Sequence, residues 1–488
     1  LRKAGLIATF EFLIQESWLY PNKVAPGSTK YSLYIMSNKP GIPRGTRDFG
    51  PEVMSRRNYL FDTIRSVFQT YGFQPLETPA MEKLEVLTGK YGEEGDKLIF
   101  KVLNSGNFME KMVANDLQEH PGKVAAKISE KALRYDLTVP FARYVAIHKN
   151  ELNLPFRRYQ IQPVWRGDNP QFGRYREFYQ CDADVVGTDS LVCEAELIAL
   201  VNEVMNRLHI RYELKINNRK ILTGLSEKIG APGKEADFCV AIDKLDKIGK
   251  EGVEKELLER GFSDASILAL QPLLTFQGSN EETLQFLNTF LAGSEVGKKG
   301  LEELETVFQL VSAMGCTPNL VLDLTLARGL SYYTGAIMEV KALDVSIGSI
   351  SGGGRYDNLT GLFGVPGLSG VGISFGIDRI YDVLEKLNEF PDSALGGIEV
   401  MIGWFDEDQK NFALSLLYQL RREGIHTEMY PDKAKIKKQF EYADRKKAKW
   451  VLVIGSDEMA SGNLTVKNML DGKQDRCTLD EFIARIKQ

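Results

Sequence analysis

The sequence predicts a multidomain α/β chain, and three observations carry that prediction. Residues 157–184 read as a long antiparallel hairpin, residues from about 223 to 318 are helical in period, and strands and helices alternate beyond residue 395. At 488 residues the chain is also too long for a single ordinary core, so about three domains are expected.

The elements follow in order. The chain begins with Leu1 and its first methionine is Met36, so residues 1–35 are expected to be a non-native or disordered extension. The apolar run "GLIATFEFLI" is interrupted by Glu11 and lacks a nearby cleavage site, which argues against a secretory signal. After "GIPRGTRDFGP" a helix is expected, with Val53, Leu60, Ile64, Val67 and Tyr71 near helical spacing, Pro51 in the first turn and Gly72 as the stop. "FQPLETP" reads as a short extended segment.

The hairpin "RRYQIQPVWRGDNPQFGRYREFYQCDAD" turns at 167–173. On a regular return strand Arg176, Phe178, Gln180, Asp182 and Asp184 share one face, a poor core but a good floor for a polar ligand. Arg166, Arg174 and Arg176 around the turn offer guanidiniums that can converge on phosphate oxygens, and Phe178 can stack on a base. A helix over about 191–208 and the strand "YELKINN" come next. The Lys/Glu/Leu-rich stretch 223–318 then reads as a helical insertion broken by polar segments such as "FQGSNEE". A β-rich character returns with "LVLDLTLARGLSYYTGAIMEV". "SGGGRYD" reads as a flexible turn followed by exposed residues, and "GVGISFGIDR" as a strand entering a helix, with glycines allowing close approach to a nucleotide. Its spacing, G-x-G-x-x-x-G, is not that of a dinucleotide fingerprint. After "FPDSALGG" a small α/β domain with a largely parallel sheet is expected.

Composition excludes several classes of function. A net charge of −5 gives no global attraction to nucleic acid, so DNA is not an expected partner and any RNA contact must come from local patches. One such patch is "KAKIKKQFEYADRKKAK" (433–449), with eight Lys/Arg against Glu441 and Asp444. Five scattered cysteines with no C-x-x-C pair argue against a disulfide framework and a thiolate metal site, and no apolar run suits a membrane span.

Taken together, "GFQPLETP", "VWRGDNPQFGRYREFYQCDAD" and "GVGISFGIDR" resemble motifs 1, 2 and 3 of class II aminoacyl-tRNA synthetases. "ARGLSYYTG" and "SGGGRYD" resemble the two histidine-specific signatures of the histidyl-tRNA synthetase family, from about residue 40 to the C-terminus. "FCVAIDKLDKIG" and the acids of "RYDLT" and "QCDAD" look closer to its eukaryote-like branch. The resemblance implies an antiparallel catalytic sheet in two parts, 36–222 and 319–395, with the helical insertion 223–318 between them and an anticodon-binding domain over 396–488. It also implies L-histidine, ATP with Mg²⁺ and tRNA(His) as ligands, a homodimer, and a cytoplasmic location. The Mg²⁺ ligands stay unassigned.

By the same resemblance Arg166 grips the ATP α-phosphate, Phe178 stacks on adenine, Arg379 meets the γ-phosphate, and Arg174 joins the ATP site. Asp136 and Thr138 hold the substrate α-amino group, and Gln180 contacts its polar end. Asp184 and Tyr333 read the imidazole, with Tyr332 and Tyr356 lining the pocket. Arg328 reaches the carboxylate and α-phosphate. Gln171 at the hairpin tip faces the tRNA acceptor end, and Lys435 and Lys438 track its phosphates. The chemistry agrees: neutral imidazole has one donor and one acceptor, so a carboxylate and a tyrosine hydroxyl complete it. Ser331 stands where the family usually has an acid or amide, and Arg328 and Tyr333 have opposite parity, so this stretch must bend. The rival reading is a non-catalytic, histidine-binding regulatory relative; such relatives lack the C-terminal domain.

Overall fold

A central eight-stranded sheet organises the main body of the computed structural model, which describes residues 40–89, 92–119, 121–327 and 332–487. The expected extension 1–35, Arg328 and Ser331 lie outside the described residues. All elements discussed below belong to one unit, Arg44–Gln488. The strands are β1 (Gln74–Pro75), β2 (Met81–Lys83), β3 (Lys101–Val102), β4 (Lys131–Leu133), β5 (Phe156–Trp165), β6 (Glu177–Val186), β7 (Tyr212–Asn218), β8 (Leu320–Leu322), β9 (Ala336–Ala342), β10 (Ser351–Tyr356) and β11 (Gly370–Gly376). The sheet runs β1-β5-β6-β11-β10-β9-β7-β8, while β2, β4 and β3 form a small separate sheet. Only the β1–β5 and β7–β8 pairings of the large sheet are parallel.

The helix Pro51–Thr70 covers one face of this sheet. It starts on a proline, whose missing N–H costs nothing in a first turn, and buries Leu60, Ile64, Val67 and Phe68. Helix Val192–Arg207 joins the same core through Leu197, Ile198, Leu200, Val201 and Val204. Between β7 and β8 the chain is helical throughout, from Arg219–Lys228 to Glu295–Ala313. The polar breaks that punctuate this stretch act as N-caps. In "FQGSNEE", Ser279 accepts a hydrogen bond from the Glu282 N–H while Glu282 reaches back to the Ser279 N–H.

Three local expectations are corrected. "SGGG" is no turn: Ser351, Gly352, Gly353 and Gly354 form most of β10 in mid-sheet. A Cβ on Gly353 would lie 2.0 Å from the Gly372 carbonyl oxygen, so close strand approach, not turn geometry, demands the glycine. The "RYD" that follows is not exposed. Arg355 and Tyr356 are buried, and Arg355 forms a two-pronged ion pair with Glu194 while donating to Ser369 Oγ at 2.6 Å. Finally, the C-terminal sheet is mixed rather than largely parallel. Its strands are β12 (Val400–Trp404), β13 (Thr427–Met429), β14 (Trp450–Ile454), β15 (Leu464–Asn468) and β16 (Gln474–Cys477), in the order β13-β12-β14-β15-β16. β12 pairs in parallel with β13 and β14 across helical crossovers. β14–β15 and β15–β16 are antiparallel; for β15–β16 the connection is too short to carry the chain back along the sheet.

Gly353→Ala is expected to lower the denaturation midpoint by an equivalent of about 2 kcal/mol or more, since the added methyl meets backbone rather than a movable side chain. Equilibrium urea unfolding followed by circular dichroism checks this; a midpoint equal to wild type would refute the close-approach account.

Candidate active site

The hairpin β5–β6 and its neighbours β10 and β11 shape one cavity of about 340 Å³. Phe178 and Gln180 reach it from β6, Gly352 and Gly353 from β10, and Ser374 and Gly376 from β11. At its inner end a second hollow of about 10 Å³ shares Thr138, Tyr333, Gly352 and Ser374 with it and adds Asp182, Asp184 and Tyr356. The alternation of β6 therefore places Phe178, Gln180, Asp182 and Asp184 along one continuous wall.

Among the described residues three guanidiniums line the outer part: Arg166, Arg174 and Arg379. Arg166 lies over the rings of Tyr135 (4.4 Å) and Phe178 (5.1 Å) and donates through Nε to the Tyr135 carbonyl at 3.0 Å. Arg379 is clamped by the carbonyl oxygens of Gly173 and Ser349, both at 2.6 Å. Burial first, and then the charges of Arg174 and Arg166, pull its pKa down, which records like charges held together. Arg174 has a 3.6 Å ion pair with Asp168. Arg176, the third arginine that the sequence placed with Arg166 and Arg174, is not among the cavity's lining residues. It donates instead to the Asp168 and Arg44 carbonyls of the surrounding loops. Arg379 is presented by the helix Ile377–Leu387, whose second residue, Asp378, accepts from Arg57 at 2.7 Å, from Arg47, and from the Tyr179 N–H at 2.9 Å.

The inner part is acidic and phenolic. Asp136 Oδ1 accepts from the Val139 N–H at 3.1 Å, capping the helix that Thr138 begins, and its Oδ2 accepts from Tyr332 Oη at 3.3 Å. Tyr356 Oη donates to Asp184 Oδ1 at 2.7 Å. Gln180 Nε2 donates to Ser374 Oγ at 2.7 Å. Tyr332 stands edge-on to Tyr333 and Tyr356, with centroids 5.0 and 6.1 Å away. Burial, and next the nearby Asp184, Asp182 and Asp136, push the Tyr333 hydroxyl well above the usual phenol range, so it stays a hydrogen-bond donor. Burial raises Asp184 as well, against the opposing pull of Arg158 and Tyr356. Asp182 is pushed up to about 7, by burial first, with Arg158 opposing and Asp184 adding.

The structure thus gathers Asp136, Thr138, Arg166, Arg174, Phe178, Gln180, Asp184, Tyr332, Tyr333, Tyr356 and Arg379 around two adjoining hollows. Arg328 lies outside the described residues, yet the chain does leave strand geometry on both sides of it, at 323–327 and 332–335. Gln171 sits in the hairpin turn, bridged to Arg174, and Lys435 and Lys438 are exposed at the start of the helix Ile436–Arg445. One glycine of "GVGISFG" serves a purpose the sequence did not reveal. A Cβ on Gly372 would lie 2.1 Å from Asp184 Oδ1, so this glycine clears room for an acid rather than for a nucleotide. The residue missed altogether is Arg158. It is fully buried, directly opposite Asp184 in the β5–β6 register, and 2.9 Å from Asp184 Oδ2. Extending the hairpin's pairing outward from its turn would have found it.

The model of the histidyl-tRNA synthetase family matches residues 123–380, and that of an anticodon binding domain matches 399–488. The histidine–tRNA ligase of Cytophaga hutchinsonii is 57% identical over 450 residues, spanning 92% of this chain and 99% of the relative. That of Phocaeicola vulgatus is 55% identical over 453 residues, spanning 93% and 100%. The crystal structure of histidyl-tRNA synthetase from Nostoc sp. PCC 7120 superposes with a TM-score of 0.77 at 32% identity, over 91% of this chain and 99% of that one. An ATP phosphoribosyltransferase regulatory subunit/histidyl-tRNA synthetase from Bacillus halodurans C has a TM-score of 0.67 at 22% identity, over 85% and 99%, a likeness of fold alone.

The raised Asp182 carboxyl has a consequence for stability. Its folded pKa exceeds the unfolded one, so its stabilising contribution is complete below about pH 4 and is lost as pH rises through about 7. Denaturant unfolding at pH 5 and pH 8 is expected to show a smaller loss of stability across that interval for Asp182→Asn than for wild type. Equal losses would place the proton elsewhere.

Proposed function

The chain belongs to the histidyl-tRNA synthetase family, and from that premise we propose how its residues divide the work. It is a histidine–tRNA ligase, which activates L-histidine with ATP to histidyl-adenylate and pyrophosphate, then transfers histidine to the 3′ end of tRNA(His). The observation that carries this reading is the junction of an anion-seeking cluster, Arg166, Arg174 and Arg379, with a small hollow holding Asp184, Tyr333 and Tyr356.

In the first step a histidine carboxylate oxygen attacks the ATP α-phosphorus, a new O–P bond forms, and the bond to pyrophosphate breaks. Arg166 grips the α-phosphate, Arg379 and Arg174 take the outer phosphates, and Phe178 stacks on adenine. Arg328 meets the carboxylate and α-phosphate, where negative charge accumulates in the transition state. Asp136 and Thr138 hold the α-amino group. Gln180 contacts the substrate's polar end, while Asp184 accepts from one ring nitrogen and Tyr333 donates to the other. A site that leaves such buried groups unpaired rejects an isostere by about 10⁴-fold or more. In the second step a 3′-terminal hydroxyl of the tRNA attacks the acyl carbon and AMP leaves.

Mg²⁺ enters as part of the ATP substrate. Among the described residues no group of three or more His, Cys, Asp or Glu could hold a metal, but the carboxylates of Asp168 and Glu339 line the cavity. That suits an ion carried on phosphates with one or two protein ligands. The transfer step is assigned to a tRNA whose acceptor end meets the turn at Gln171 and whose phosphates meet Lys435 and Lys438. The sequence supports a body of 36–222 and 319–395, interrupted by the helical stretch 223–318 and followed by the tRNA-reading domain 396–488. A homodimer working in the cytoplasm completes the reading. No helix among the described residues is long and apolar enough to cross a membrane. Against a regulatory, non-catalytic role stand Arg166, Arg174 and Arg379 together at the cavity, and the C-terminal domain.

Exchange of labelled pyrophosphate into ATP is expected to require histidine, and to fall by about 10²-fold or more in Arg328→Ala. A folded wild type that binds histidine without exchange would favour the regulatory alternative. Phe178→Ala is expected to raise KM for ATP about tenfold through lost stacking, read in the same assay, with KM for histidine little changed.

A further inference from the structure

Arg158 is an expensive residue to keep. It is buried at 0% relative exposure on β5, with its guanidinium over the Phe141 ring at 4.4 Å. Its Nη2 donates to the Leu137 carbonyl at 3.3 Å and lies 2.9 Å from Asp184 Oδ2 and 4.0 Å from Asp182 Oδ2. Among the described residues Nε and Nη1 find no hydrogen-bond partner, nor do Asp182 Oδ1 and Asp184 Oδ2. A buried ion pair this incompletely bonded contributes less to stability than well-packed apolar side chains of similar size. Its cost therefore calls for a function at the carboxylate it faces.

We propose that Arg158 is a positioning residue for the amino-acid substrate: reaching from the neighbouring strand, it fixes Asp184 as a pure acceptor at the inner hollow, so that a ring N–H is the group selected there. The proposal rests on the reading of the hollow as the imidazole site. Asp184 is hemmed by charged and titratable groups from every side: Arg158 on β5, Asp182 on β6, Asp136 ahead of the helix Thr138–His148, Tyr333 ahead of β9, and Tyr356 on β10. Among the described residues around Asp184, Arg158 is the one cation of this group. A protonated Asp184 would present a donor to the ring and lose the match, and a second acid two residues away on the same strand favours protonation. With Tyr356 on Oδ1 and Arg158 beside Oδ2, both oxygens are oriented and the remaining lone pairs are left to the ligand. Gly372 on the opposite flank of β6 supplies the space for this carboxylate, so the two neighbouring strands provide one charge and one vacancy.

The test is histidine-dependent pyrophosphate exchange at saturating ATP between pH 6.5 and 8.5. For Arg158→Met, KM for histidine is expected to rise at least about tenfold at pH 6.5 and less at pH 8.5, because losing the cation raises the pH at which Asp184 ionises. Expressing each KM relative to wild type at the same pH cancels the titration of free histidine. KM for ATP stays unchanged, and Arg158→Lys restores most of the wild-type profile. A KM ratio independent of pH, or an equal rise in KM for ATP, would reduce Arg158 to a structural residue and overturn the proposal. Should Arg158→Met fail to fold, Asp182→Asn leaves Arg158 to Asp184 alone, and a shallower pH dependence of KM for histidine is expected; an unchanged profile is the overturning result. A wild type without histidine-dependent exchange would instead take down the functional reading beneath it.

Discussion

Almost everything at the site depends on one register, the pairing of two ten-residue strands, β5 with β6. It sets Phe178, Gln180, Asp182 and Asp184 at alternate positions and so spaces an aromatic wall, an amide and two acids along a single line. The same register brings Arg158 opposite Asp184, and the pairing of β6 with β11 brings Gly372 to its other side. A slip of one residue would turn all of these toward the opposite face. The register is held in turn by Asp378, which ties the Tyr179 N–H to Arg57 and Arg47 and thereby anchors the hairpin to the helix Pro51–Thr70.

The cavity is electrically divided. Arg166, Arg174 and Arg379 make its outer part positive, while the acids Asp136, Asp182 and Asp184 gather at its inner part, their charge moderated by burial and by Arg158. In a chain of net charge −5 this separation is local and built by burial. A ligand whose ammonium and carboxylate lie apart meets a field that already favours one orientation, and a polyphosphate is drawn to the other end. The reacting groups meet where the two regions join. Low dielectric makes such fixed dipoles and charges count for more than they would in water.

What was legible in the sequence follows from how local each cause is. The hairpin could be read because its turn residues and two-residue period are properties of the segment itself. The helix Pro51–Thr70 was readable for the same reason. Arg158 was not, because beside Arg157 it looks like an ordinary solvated cation and only the pairing with a distant strand assigns its partner. The triple glycine at 352–354 was misread for a related cause: glycine's own preferences suggest a turn, whereas here the constraint comes from carbonyls on adjacent strands. Arg355 followed it into error, since its partner Glu194 belongs to a helix far away in sequence. In the C-terminal domain the alternation of helix and strand was correctly seen. What the alternation did not reveal is that β15 returns antiparallel to β14 despite the short helix Ser456–Ser461 between them, and that β16 follows directly.

The glycines at 352, 353 and 372 also shape how this protein can change over generations. Any replacement at these positions adds atoms and none removes any, so mutation there moves the pocket in one direction only, toward less room. Gly353 and Gly372 face obstacles at 2.0 and 2.1 Å, which leaves no small intermediate step. The walls, built from side chains such as Tyr332, Tyr333 and Gln180, remain free to be exchanged. Divergence toward a different ligand must therefore proceed through the walls while the floor stays as it is.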